Sequence, residues 1–141
     1  MGTRQFVVFL ANKEEFGLDI EKISSIEAMQ DIAKIPNSPD YIEGVANLRG
    51  KVHTIFNLRR RFNMPFTGFD ENAKIIITNT PGLFVGFTVD EVREIVKMED
   101  DNTEPVPKDV SPSIGRFLSG VCRVGSRLVK MLDPEKIFII S

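Results

Sequence analysis

The stretch Tyr41–Phe62 reads YIEGVANLRGKVHTIFNLRRRF, and a related stretch returns near the end of the chain. Set without a gap above residues 117–138, FLSGVCRVGSRLVKMLDPEKIF, it aligns at a shift of 76 residues. Gly44 then meets Gly120, and apolar residues meet at several positions around this pair. Coincident glycines and apolar residues at one fixed shift indicate an internal repeat.

The upstream part of the chain repeats as well. Residues 5–29, QFVVFLANKEEFGLDIEKISSIEAM, align with residues 74–98, KIIITNTPGLFVGFTVDEVREIVKM, at a shift of 69. The two shifts differ by seven residues, so the second copy has a longer loop between its halves. We therefore predict a single domain made of two repeats, about 5–62 and 74–138, related by an ancient duplication.

Both repeats have the same predicted order of elements. A continuous apolar run suits a buried strand, and a turn and a second strand follow it. A short turn or helix comes next, because apolar residues recur three positions apart. These residues are Ile20, Ile23 and Ile26 in the first copy, and Val89, Val92 and Ile95 in the second. A proline-bearing loop and two strands joined by a glycine turn complete each copy.

A helix-start signal ends each repeat. Asn57 precedes one short helix and Asp133, followed by Pro134, precedes the other. An Asn or Asp side chain caps free backbone N–H groups, and proline fits the first helical position. Several short strands with glycine and proline turns are typical of small barrels. The sequence therefore predicts an all-β fold of two small β-barrels with short helices.

Composition limits the possible classes of function. Hydrophobic residues make up 42% and charged residues 27% of the chain, as in soluble globular proteins. A net charge of −2 argues against a broad nucleic-acid surface, and we interpret the run Arg59-Arg60-Arg61 as a solvated helix face rather than a phosphate-binding patch. A barrel that binds oligonucleotides is a weak alternative, because the chain has no Trp and one Tyr for stacking.

Cysteine content and hydropathy indicate the compartment. The only cysteine, Cys122, excludes an internal disulfide and favours a reducing environment. No apolar run approaches the ~18 residues of a membrane span, so we expect no direct membrane insertion. Charged residues follow the first apolar run at once, which favours a first strand over a signal peptide. We therefore predict a cytoplasmic protein.

The sequence does not favour an enzyme, a metal site or a cofactor. His53, the only histidine, is predicted to be a half-exposed strand residue, because no serine or cysteine nucleophile lies near it. Cys122 lies among apolar residues and is interpreted as a small core residue. A metal site needs clustered ligands, and the glycines form no phosphate-cradling motif before a helix.

Asn47-Leu48-Arg49-Gly50 is the remaining candidate for a function. In a hairpin, Gly50 can take the positive φ angle that the turn requires. Arg49 offers five donors in a rigid fork, which suits a carboxylate or carbonyl groups at an interface. An exposed turn arginine without a partner is an equally good interpretation. The residues favour a binding module over an enzyme and do not name the partner.

The run GVANLRGKVHTIFNLRRRF resembles the signature of CheW-type domains, and the resemblance extends over nearly the whole chain. VGFTVDEVREIVKM is similar to the central segment of that family. The resemblance implies two five-stranded β-barrels that exchange strands, similar to the regulatory domain of the histidine kinase CheA. It also implies a non-enzymatic adaptor that couples the cytoplasmic tips of methyl-accepting chemoreceptors to CheA, in arrays at the inner face of the membrane.

The resemblance implies partner-binding residues as well. In the family, a groove between the barrels accepts the receptor tip and the barrel ends contact the kinase. Apolar residues could line such a groove, although they could equally fill the barrel core. The residues taken over from the family are Gly44, Asn47, Arg49 and Gly50 of the signature, Ile23 and Ile26 of the first copy, and Val92 and Ile95 of the second.

Two residues depart from the family pattern, which usually has proline where Thr54 stands and aspartate where Asn57 stands. Thr54 restores a backbone donor to its strand. Asn57 keeps the capping ability but loses the charge. These departures leave open an adaptor of a divergent chemosensory pathway. A detached regulatory or CheW-like domain of a larger signalling protein is a separate alternative.

Overall fold

A computed structural model describes residues 3–98 and 103–139, and most of this part of the chain is β-strand. The strands are β1 Arg4–Ala11, β2 Glu14–Asp19, β3 Ile23–Ala28, β4 Ile42–Leu48, β5 Lys51–Asn57, β6 Lys74–Thr78, β7 Val85–Val89, β8 Glu91–Met98, β9 Thr103–Glu104, β10 Leu118–Val124 and β11 Arg127–Leu132. The helices are α1 Leu58–Arg61, α2 Pro112–Gly115 and α3 Pro134–Ile137. The predicted all-β class is confirmed.

The strands form two sheets, each of which takes strands from both repeats. The six-stranded sheet has the order β8-β1-β2-β11-β10-β9, and the five-stranded sheet has the order β3-β6-β7-β5-β4. In the repeat alignment, β1 to β5 correspond to β6, β7, β8, β10 and β11. With these equivalences the two sheets have the same strand order, apart from the additional β9. The predicted exchange of strands is therefore confirmed.

The repeats are joined by two antiparallel strand pairs, β1–β8 and β3–β6, and by two parallel pairs. β2 pairs with β11 in one sheet, and β5 pairs with β7 in the other, whereas all other pairs of named strands are antiparallel. The short β9 also has a counterpart. Glu104 pairs with Val121 of β10, and at the equivalent position Ala33 forms an isolated bridge with Val45 of β4.

Both sheets curl so that distant strands approach each other. Arg49, which follows the edge strand β4, forms an ion pair of 3.1 Å with Glu27 on the opposite edge strand β3. In the six-stranded sheet, Arg127 of β11 donates a 2.9 Å hydrogen bond to Glu94 of β8, and this bond lowers the pKa of Glu94. The paired strands form no closed hydrogen-bonded ring within the described residues. The predicted barrels are therefore open, curled sheets.

The expectation of a turn or helix around Ile20–Ile26 and Val89–Ile95 was mostly wrong. Only the segment Ile20–Lys22 forms a single 3-10 turn, and strands β3 and β8 occupy most of these regions. Both strands lie at an edge of their sheet and pair with the first strand of the other repeat. That pairing supplies backbone hydrogen bonds that a sequence window does not reveal, and β-branched residues suit the extended conformation.

One large core joins the two sheets. Its aromatic members come from both sheets and from the segments around the helices, and each sheet also has a smaller buried cluster of its own. The rings of Phe16 and Phe62 lie 5.0 Å apart, as do those of Phe56 and Phe138. Cys122 is fully buried in a smaller cluster inside the six-stranded sheet, as predicted.

Both predicted helix caps are present. The Asn57 side chain accepts a 3.1 Å hydrogen bond from the Arg60 N–H, and the Asp133 side chain accepts one of 3.1 Å from the Glu135 N–H. Pro134 occupies the first turn of α3. The caps therefore begin α1 and α3 where the sequence indicated.

The interpretation of Arg59-Arg60-Arg61 as a solvated helix face was wrong for two of the three residues. Arg61 is only 8% exposed, and its Nε donates a 2.9 Å hydrogen bond to the Ile137 carbonyl oxygen. Arg59 forms a 2.7 Å ion pair with Asp90, and Arg60 alone is exposed. Successive helical residues point about 100° apart, so a short helix that packs against the core cannot expose all three.

No helix within residues 3–98 and 103–139 is long and apolar enough to span a membrane.

Asn57 donates a 3.0 Å hydrogen bond from Nδ2 to Glu43 Oε1 and is fully buried. We predict that Asn57→Asp lowers the free energy of unfolding by roughly 1–3 kcal/mol, because the donor is lost and a second carboxylate faces Glu43. Combining it with Glu43→Gln should recover most of the loss. Urea unfolding of the two single variants and the double variant measures this coupling. A fully stable Asn57→Asp protein would contradict the explanation.

Candidate partner-binding surface

The hairpin between β4 and β5 exposes the signature arginine. Leu48 pairs with Lys51, and the two residues between them have positive φ angles, 55° for Arg49 and 79° for Gly50. These angles are typical of a two-residue type I′ turn, as was expected for Gly50. A left-handed conformation is uncommon for arginine and costs of order 1 kcal/mol. The turn directs the Arg49 side chain outward, where it is 74% exposed.

Arg49 is only partly engaged within the chain. Its Nε donates to Glu27 Oε2 over 3.1 Å, and its other guanidinium nitrogens have no hydrogen-bond acceptor among the described residues. Exposed ion pairs contribute at most about 1 kcal/mol to stability. The contact with Glu27 therefore orients the guanidinium toward β3 while leaving donors for a carboxylate or carbonyl group of another molecule.

A cleft of about 470 Å³ lies beside this turn, and we refer to it as the Arg49 cleft. Its lining residues are Ser24, Ser25, Leu48, Arg49, Lys51, His53, Ile77, Thr78, Asn79, Thr80, Pro81, Gly82, Leu83 and Phe84. One wall consists of β3 and the β4–β5 hairpin, and the other is the turn between β6 and β7. Leu83 and Phe84 in that turn are 50% and 52% exposed, which makes this wall apolar.

Phe84 is exposed but held in place by several contacts. Lys51 Nζ lies 4.6 Å from the centroid of the Phe84 ring, and the His53 ring meets it edge-on at 5.5 Å between centroids. The Thr54 N–H donates a 3.0 Å hydrogen bond to the Phe84 carbonyl oxygen. Proline at position 54 could not donate this bond, so the departure from the family pattern ties the β6–β7 turn to β5.

His53 is buried rather than half-exposed, and that prediction was wrong. The side chain is 7% exposed because the β6–β7 turn covers it, and its Nδ1 lies 3.0 Å from the Lys51 carbonyl oxygen. A carbonyl oxygen can only accept, so Nδ1 is the protonated nitrogen. The residues lining the Arg49 cleft include no Asp, Glu or Cys that could act together with His53. This histidine supports the wall that holds Phe84.

The signature residues lie in different environments. Asn47 and Gly50 are exposed together with Arg49, and Asn47 lies opposite Val52, which is 62% exposed. Gly44, by contrast, is buried within β4. A Cβ atom at Gly44 would lie 2.2 Å from the carbonyl oxygen of Ala33, so the close approach of these two backbone segments requires glycine. Gly44 therefore has a structural role in the approach of the two segments.

The structure divides the four predicted apolar site residues into two pairs. Ile23 and Val92 are partly buried and pack against the large core. Ile26 and Ile95 are exposed, at 40% and 61%. Residues three apart share a face of a helix, but they point to opposite faces of a regular strand. Since β3 and β8 are edge strands of different sheets, the set is not one continuous stripe.

The apolar wall of the Arg49 cleft could not be predicted from the sequence. Strand β7 begins at Val85 and leaves Leu83 and Phe84 in the preceding turn. The available signal was two large apolar residues directly after Pro81-Gly82. Such residues suit a buried strand equally well, so the signal was ambiguous.

We predict that Gly44→Ala lowers the free energy of unfolding by roughly 2–4 kcal/mol, because the new methyl group must displace backbone atoms of Ala33. Gly120→Ala should act similarly, since its Cβ would lie 2.6 Å from the Glu104 carbonyl oxygen. Thermal or urea unfolding measures both effects.

Gly115→Ala is the matched control for these two variants, because its Cβ would meet no atom closer than 3.7 Å. It should change the stability by less than about 0.5 kcal/mol. If Gly44→Ala is as stable as this control, the close approach is not the reason for the glycine.

The two curled sheets define a small all-β domain, and the comparisons with known proteins agree with this class. The model of the CheW-like domain matches residues 5–139. The chain belongs to the CheW-like domain family.

Relatives of known name match along nearly the whole chain. The chain is 32% identical to "Chemotaxis protein CheW" of Klebsiella aerogenes over 134 residues, covering 95% of this chain and 81% of that protein. It is 28% identical to the protein of the same name from Bacillus subtilis, covering 94% and 85%. The crystal structure of the scaffolding protein TtCheW from Thermoanaerobacter tengcongensis is similar with a TM-score of 0.89 and 29% identity, covering 99% of this chain and 90% of that one.

Proposed function

We propose that this protein is a scaffold without catalytic activity of its own, which couples chemoreceptors to a CheA-type histidine kinase. The proposed partners are the regulatory domain of the kinase and the cytoplasmic tips of methyl-accepting chemoreceptors. The proposed location is the cytoplasm, beneath the membrane in receptor arrays. The observation that supports this proposal best is membership of the CheW-like family over residues 5–139.

The Arg49 cleft is the surface that we assign to one of these partners. Leu83 and Phe84 offer exposed apolar area on one wall, and Arg49 and Lys51 supply positive charge beside it. Interface hot spots combine buried apolar side chains with arginine, and complementary charge adds specificity. The cleft therefore fits a partner segment that presents an apolar side chain next to a carboxylate.

We assign Ile26 and Ile95 to contacts with the receptor tip. Each is exposed on an edge strand, where the apolar face of a partner helix can pack. Ile23 and Val92 pack beneath the surface against the core and would hold β3 and β8 in place. Individual contacts of this size are weak, and an array of many copies would reinforce them.

Calorimetric titration with the kinase regulatory domain and, separately, with a receptor tip fragment tests the proposal. We predict that the wild-type protein binds both and that Arg49→Ala weakens one of the two affinities about tenfold, because a charge-assisted contact is lost. The other affinity should be unchanged. Circular dichroism should show an intact fold, since Arg49 is exposed and its ion pair contributes little.

Lys108→Ala is the matched control, because it also removes one exposed positive charge but lies outside the Arg49 cleft. Equal weakening by both variants would indicate a general charge effect and contradict a specific role of Arg49. If the wild-type protein binds neither partner, the coupling function is contradicted.

An adaptor of a divergent chemosensory pathway is a second candidate, supported by Thr54 and Asn57. Both departures from the family pattern have hydrogen-bond partners of their own in this chain, at Phe84 and Glu43. A substitution near the Arg49 cleft can alter which kinase is recognised. Titration with the regulatory domains of all CheA-type kinases of the host would distinguish the two candidates, because each predicts tight binding to a different kinase.

A further inference from the structure

A second depression brings three arginines together. It has a volume of about 430 Å³ and lies where the end of α1 meets α2. Its lining residues are Tyr41, Arg60, Arg61, Asn63, Pro112, Ser113 and Arg116, and we call it the arginine depression. The lining contains no Asp or Glu, and none of its arginines forms an ion pair with a described residue.

Arg61 is the fixed base of the arginine depression. Arg61 is more than nine-tenths buried. Its Nε donates a hydrogen bond to the Ile137 carbonyl oxygen, and its Nη2 donates one to the Ile139 carbonyl oxygen. Its guanidinium lies 4.1 Å from the centroid of the Tyr41 ring. A buried cation that is satisfied only by neutral groups is a costly arrangement that an anion would relieve.

Arg116 adds a second positive charge next to Arg61. The guanidinium carbons of Arg116 and Arg61 lie 4.5 Å and 4.9 Å from the centroid of the same Phe117 ring, so they are at most about 9.4 Å apart. Burial lowers the pKa of Arg61, and the charge of Arg116 lowers it further, partly offset by Tyr41. The fold thus places two like charges beside one aromatic ring.

Arg60 completes the set from the solvent side. It is exposed, its guanidinium lies 5.1 Å from the centroid of the Phe66 ring, and its Nη1 approaches the Asp40 carbonyl oxygen at 3.5 Å. Three guanidinium groups around one depression attract a small anion that can accept several charge-assisted hydrogen bonds at once. Ser113 and Asn63 add neutral donors at the same place.

We propose that the arginine depression binds a phosphate group. A phosphate carries up to two negative charges on oxygens that accept in several directions, which fits three guanidinium groups better than a single carboxylate does. The site is independent of the Arg49 cleft, because the two sets of lining residues have no member in common. It combines part of the Arg59-Arg60-Arg61 run with Arg116, a residue far away in sequence.

Titration of the intact chain with inorganic phosphate tests the site. Binding is measured by calorimetry or by the shift in the thermal unfolding temperature. Sodium chloride at matched ionic strength serves as the blank. We predict saturable binding that Arg116→Gln weakens about tenfold, since one charge-assisted contact is lost. Arg116 is exposed, and its side chain makes no hydrogen bond within the described residues, so this variant should fold normally.

Arg123→Gln is the matched control, because it removes the same charge from an exposed arginine that lies outside the depression. Phosphate binding that Arg116→Gln weakens and Arg123→Gln leaves unchanged supports the site. Equal weakening by both variants, or a response no larger than that to chloride, would overturn the proposal.

A parallel titration with O-phosphoserine distinguishes the two sources of the phosphate group. Tighter binding of inorganic phosphate supports a site for the free anion, and tighter binding of phosphoserine supports a site for a phosphate carried on a larger molecule. Neither result depends on the kinase or the receptor, so the proposal can fail while the coupling function stands.

Discussion

The structure depends on backbone hydrogen bonds between the two repeats. Strands β1 and β2 lie between β8 and β11, and strands β6 and β7 lie between β3 and β5, so neither repeat contains a complete sheet. An unpaired strand edge leaves N–H and C=O groups without partners and invites aggregation. The antiparallel pairs β1–β8 and β3–β6 and the parallel pairs β2–β11 and β5–β7 satisfy those groups and join the two halves.

The shared core determines which side chains remain at the surface. Phe62 packs against Phe16 of the other sheet, and Arg61 reaches the carbonyl oxygens of Ile137 at the end of α3 and of Ile139 after it. The residues after β5 are therefore used to join the halves. The hairpin at Arg49 and the turn at Phe84 lie outside this junction. They expose charge and apolar area on a supported scaffold, which suits the proposed binding of partners.

The environment of the Arg49 cleft also shows how exposed residues can be well ordered. Phe84 is half exposed, yet Lys51, His53 and the Thr54 N–H fix it from three directions. Binding of a partner to Phe84 costs little conformational entropy, because the Phe84 side chain is already held in place. Gly44 orders the backbone in a comparable way, because it allows the Ala33 backbone to approach β4 closely.

The sequence by itself determined the repeat, the all-β class, both helix caps and the turn at Gly50, because each of these depends on local spacing or on the conformational range of one residue. Family resemblance added the exchange of strands. The sequence could not determine that residues 23–28 and 91–98 are strands, that His53 and Arg61 are buried, or that Arg61 lies beside Arg116. These features arise from contacts between distant segments, where pairing and burial override local preference. Only the tertiary structure supplies the partner strand, the covering turn and the second charge.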